Sequence, residues 1–176
     1  GLYLLDRFLL PYPIIPFVPL FIALACHVSA ILLLLQCWGV DAQAHRLAAG
    51  ALGVAFPGVA YFHAFSLSNY AIGIGFLCSA LSLCVFVRTA GRARLLAVVP
   101  AVLALSIYQA FAVVLAAAYL VWLISAGLRD SGREFGLRNF AAIGGVGGLS
   151  FAAYYLLNLI SLALSGAVTT YVDTLL

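Results

Sequence analysis

The chain has 176 residues, of which 66% are hydrophobic and 7% charged, with a net charge of +3 and a mean hydropathy of +1.21. A soluble domain carries roughly 25% charged residues, so water is excluded as the solvent for most of this chain. Several uncharged runs exceed the ~20 residues a membrane helix needs. Runs such as AILLLLQCW and AVVLAAAYLVWLI are apolar on every face rather than alternating, which excludes a transmembrane β-barrel and leaves an all-α, polytopic transmembrane helical bundle.

The sequence begins at Gly1, contains no Met, and shows no basic segment ahead of a short apolar one, so no signal peptide is expected. Its other end, VDTLL, closely follows an apolar run. The chain therefore reads as an internal fragment of a longer membrane protein, with residues 1–176 forming one transmembrane domain fragment of about six membrane segments. Four prolines in PYPIIPFVPL disfavour a helix interior, which places the first crossing at about 17–38, closed by DAQAHR. A second is expected at 47–65, bent near FPG and followed by the uncharged turn SLSN. A third, 70–87, ends at RTAGRAR.

The run over 95–128 contains no charge, yet holds Ser106, Tyr108 and Gln109 in its middle. As one helix it would be about 50 Å long, against a hydrocarbon core of about 30 Å. Arg88, Arg92 and Arg94 precede it; Arg129, Arg133 and Arg138 follow it. Arginine-rich loops lie on the cytoplasmic side, so both flanks belong on one face and the run must cross twice, at 95–105 and 110–128, turning near SIYQ. A last segment is expected at 140–164. Parity then puts seven of the eight arginines inside and Arg7 outside. The outward face collects Asp6, Arg7, His63, SLSN, Ser106, Tyr108, Gln109 and TTYVDT.

FPGVAYFHAFSLSNYAIGIGF, a basic turn, and then LLAVVPAVLALSIYQAF together resemble the middle of the bacterial O-antigen glucosyltransferases of the Gtr type II family, in which an SxYQ element recurs. The resemblance covers roughly residues 6–128, and SIYQAF is its sharpest element. It implies a glycosyltransferase C fold in the bacterial inner (plasma) membrane, and transfer of a glucosyl group from a polyprenyl-phosphate donor to a surface polysaccharide or lipid-linked acceptor. Membrane lipid is a further partner, and no cofactor and no nucleic acid are expected. Enzymes of that family carry their key carboxylates in the first outward loop after the first helix. No DD or DxD pair exists here, so the catalytic residues are expected upstream of Gly1, with Asp6 and Arg7 close behind them.

Each candidate has two readings. Tyr108 and Gln109 suit an interfacial turn. They equally suit sugar recognition, because Gln offers a donor and an acceptor to a pair of hydroxyls and Tyr can stack on a pyranose. Asp6 and Arg7 suit a solvated helix end, or in the case of Arg7 a lipid phosphate. His63 is either packed or a donor to that phosphate. His27, mid-span, is expected to make an interhelical hydrogen bond, since it has no second ligand at i+3 or i+4 for a metal. The four cysteines lack CxxC spacing, and no disulfide is expected. GGVGG holds a GxxxG pair that suggests close helix packing. The inner arginines read as topology signals and headgroup contacts. A transporter or channel, or a non-enzymatic scaffold subunit, is the competing class. A transporter calls for midplane polar groups and inverted repeats, whereas only His27 and Asn158 lie at mid-membrane.

Overall fold

The computed structural model describes residues 17–55, 69–129 and 136–165. Every regular element among them is helical: α1 (Phe17–Cys37), α2 (Gln43–Ala55), α3 (Asn69–Arg88), a 3-10 stretch (Gly91–Ala97) continuing into α4 (Val98–Ile107), α5 (Phe111–Arg129) and α6 (Leu137–Ser165). Helices lie in each of the six expected regions, the second of them described only as far as Ala55; 56–68, including the FPG bend and SLSN, lies outside the described residues. Among the described residues four helices, α1, α3, α5 and α6, are long and apolar enough to cross a membrane, against about six membrane segments expected. The described part of α2 has 13 residues and α4 has 10.

The shortness of α4 has a local cause. Pro100 has no N–H to give the preceding turn, and the chain ahead of it winds as 3-10. The switch occurs without a break, since Ala97 and Val98 both have right-handed helical angles. Seven residues at 2.0 Å and ten at 1.5 Å give a continuous rod of about 29 Å, close to the hydrocarbon thickness.

Helix α3 is the hub. It packs most extensively on α1 and also on the 3-10 stretch, α4 and α5, while α6 lies against α4. Small residues on α3 permit this close approach. A Cβ on Gly73 would sit 2.7 Å from the Ala23 Cα of α1, and one on Gly75 would run into the Phe111 ring of α5. Contacts Gly73 to Ala23, Phe76 to His27, and Arg88 to Gln36 follow in order, so α1 and α3 run parallel. Polar groups inside the bundle are joined across helices. The Trp38 indole donates to the Ala118 carbonyl at 3.0 Å, and the Ser82 hydroxyl donates to the Ala97 carbonyl at 2.9 Å. Phe86 packs edge-on against both Tyr119 and Trp122.

The described arginines gather at one end. Arg88 donates to the Gln36 amide oxygen at 3.1 Å, Arg94 to Asn139 Oδ1 at 2.8 Å, and the Arg129 guanidinium lies where a side chain on Gly39 would go. Gly39 has φ +76, so both backbone and space require glycine after α1. Close packing on the GGVGG run, expected from its spacing, is not found within the described chain: a Cβ on Gly144, Gly145, Gly147 or Gly148 meets nothing within 4 Å. That face of α6 is turned away from the bundle, and large side chains such as Phe151, Tyr155 and Ile160 are also exposed on this helix. All four cysteines are free thiols.

Candidate functional site

At the end away from the arginines, the turn between α4 and α5 is built by the residues that interrupt the apolar run. Ser106 spends its hydroxyl on its own helix, donating to the Val102 carbonyl at 2.8 Å. Tyr108 then leaves the helical region with φ −157 and ψ 128, which ends α4, while its N–H still donates to the Ala104 carbonyl. Its own carbonyl accepts the Phe111 N–H at 3.0 Å, and the Gln109 and Ala110 carbonyls accept from Ala112 and Val113. The first turn of α5 is thus tied back to the turn residues, leaving the Tyr108 and Gln109 side chains to project outward.

Those two side chains differ in what they do. Tyr108 is 63% exposed. Gln109 is also exposed, but its Nε2 donates to Tyr154 Oη of α6 at 2.9 Å. The tyrosine oxygen accepts that bond and retains its own proton, while the Gln109 Oε1 retains its lone pairs. One donor and one acceptor are therefore presented side by side. A pair of sugar hydroxyls, each able to donate and accept, is complementary to that arrangement.

Tyr154 was not singled out from the sequence. Its signal is weak: YY in a long apolar segment, seventeen residues and about 25 Å along α6 from Leu137. Asp6, Arg7 and His63, the other candidates, lie outside the described residues, so the structure brings together Gln109 and Tyr154 but does not bear on the wider convergence. His27 is 4% exposed and meets Phe76 edge-on at 4.7 Å, with Phe76 in turn edge-on to Phe111 at 5.3 Å. Its interhelical contact is thus, at least in part, aromatic, joining α1, α3 and the start of α5 beneath the turn.

A family model described as "Glucosyl transferase GtrII" matches residues 1–175. No curated protein and no solved structure matches the chain.

Proposed function

The chain belongs to the glucosyl transferase GtrII family, and from that membership we propose that it moves a glucosyl group from a polyprenyl-phosphate donor to a surface polysaccharide or lipid-linked acceptor. In this reading it is a bacterial inner-membrane protein of glycosyltransferase C architecture, with its site on the outer face. The family match along nearly the whole chain carries the proposal. Two features support the choice of end: the described arginines collect at the opposite one, as a cytoplasmic face requires, and the Gln109–Tyr154 pair is exposed away from them.

The roles follow from chemistry. Gln109 and Tyr154 orient a sugar or acceptor through paired hydroxyl contacts, and Tyr108 offers an aromatic face to a pyranose. Arg7 pairs with the donor phosphate, with Asp6 and His63 beside it. A hydrogen bond that matters in the transition state contributes roughly 1 to 3 kcal/mol, or about five- to a hundred-fold in rate. The test is Gln109→Ala in the full-length protein, assayed for glucosyl transfer from a polyprenyl-phosphate donor after membrane levels are matched to wild type. A loss in that range is expected; unchanged transfer would reduce SIYQAF to a packed turn.

A further inference from the structure

At the arginine end, the 3-10 stretch and the start of α6 flank an open cavity of about 590 Å³ lined by Arg92, Arg94, Arg138 and Asn139, with Gly91 and Gly136 among its smaller residues. Among the described residues, none that lines it is acidic. Gly91 has φ +58, and a Cβ there would meet nothing within 4 Å, so the turn leaves open space where another residue would project a side chain.

The three guanidinium groups are not equivalent. Arg94 is held on three sides: Nη1 donates to Asn139 Oδ1 at 2.8 Å, Nε donates to the Thr89 carbonyl at 3.3 Å, and its central carbon lies 4.6 Å from the Phe86 ring centre. It joins the 3-10 stretch to α6 and so fixes the shape of the cavity. Arg92 and Arg138 are exposed, and among the described residues neither has a hydrogen bond or an ion pair. Arg92 and Arg138 line one cavity from two elements that Arg94 and Asn139 join, so an anion inside it can meet both. Planar guanidinium forks match phosphate oxygens, and match them two at a time.

The surroundings say what carries that phosphate. Leu95, Leu96 and Val99, just past the cavity on the 3-10 stretch and α4, and Leu137 and Phe140 on α6, are exposed apolar side chains. A free phosphate gains nothing from them, and the cavity is much larger than one phosphate needs. An amphipathic anion uses both features.

We propose that this cavity binds the headgroup phosphate of an anionic glycerophospholipid from the adjoining leaflet, held by Arg92 and Arg138, with its acyl chains along Leu95, Leu96 and Val99. The site is separate from the turn at Tyr108 and Gln109 and does not rest on the transferase reading.

Binding of phosphatidylglycerol and of phosphatidylcholine to the purified full-length protein, followed by native mass spectrometry, tests it. Wild type is expected to bind phosphatidylglycerol roughly tenfold more tightly or better, and Arg92→Gln with Arg138→Gln should erase the preference. Arg46→Gln with Arg129→Gln removes the same charge from outside the cavity and should keep it. Equal loss in the two double variants would show diffuse attraction to a basic end and overturn the site. So would a preference that survives loss of Arg92 and Arg138. Displacement of the lipid by millimolar inorganic phosphate would make the ligand a free anion and overturn the lipid assignment.

Discussion

The hydroxyls of Ser82 and Tyr119 meet at 2.9 Å in the interior of the bundle. Because the Ser82 proton is given to the Ala97 carbonyl, Tyr119 is the donor of the pair and Ser82 both gives and accepts. One small side chain thereby joins α3, the 3-10 stretch and α5.

That relay predicts an order of effects. Tyr119→Phe removes one interhelical bond and leaves Ser82 otherwise satisfied, a loss of about 0.6 kcal/mol by the average for membrane proteins. Ser82→Ala removes two bonds and strands the buried Tyr119 hydroxyl, so it should cost at least about twice as much. Unfolding of the two variants in one detergent compares them directly, and a larger effect from Tyr119→Phe would contradict the donor assignment.

Glycines on α3 and α6 should respond in opposite ways. Gly73→Ala puts a methyl against the Ala23 backbone, which cannot swing aside as a side chain can, and an overpacked contact costs typically 1 to about 3 kcal/mol. Gly144→Ala and Gly148→Ala meet open space and improve helix propensity by up to about 1 kcal/mol each. Thermal midpoints should fall for the first and hold or rise for the others.

Arg94 and Arg92 carry the same charge two residues apart, yet only one should resist replacement by lysine. An ammonium at 94 can neither reproduce the Nε bond to Thr89 nor lie as a planar group over Phe86 while also reaching Asn139. Arg94→Lys is expected to destabilise by about 1 kcal/mol, and Arg92→Lys to leave the midpoint unchanged. Equal midpoints for the two variants would mean that the stacking contributes nothing.

Ala90→Cys and Ala110→Cys place labels at exposed positions on opposite ends of the bundle. With a membrane-impermeant thiol reagent on intact cells, label is expected at position 110 and not at 90. Cys37, Cys78 and Cys84 are buried and Cys26 is half-buried within α1, so the unsubstituted protein, labelled in parallel, gives the background. Labelling of both positions from outside would invert or break the assigned topology.

Much of the helix layout was legible because it depends on counting. The length of the charge-free run and the arginines on both its sides demanded a return near SIYQ, and the chain does turn at Tyr108. Charge and length do not reveal winding, so GRARLLA gave no sign of being 3-10 until Pro100 was seen at the switch. Nor do they reveal which face of an apolar helix meets protein. Lipid and bundle interior are equally apolar, so helices such as α6 carry no stripe to tell one from the other. That is why GGVGG was read as a packing face, and why Tyr154, 45 residues from Gln109, was missed.

The rod formed by the 3-10 stretch and α4 has one further effect, on the bilayer rather than on the protein. Counted from Leu95, past the last arginine, to Ile107, its uncharged length is only about 21 Å, against about 31 Å for α1. A hydrocarbon core of about 30 Å must dimple beside it or be met by arginines reaching outward along their methylenes. Thinning on that flank would draw headgroups inward from both leaflets, shortening the distance between a lipid-borne phosphate and the polar turn at Gln109.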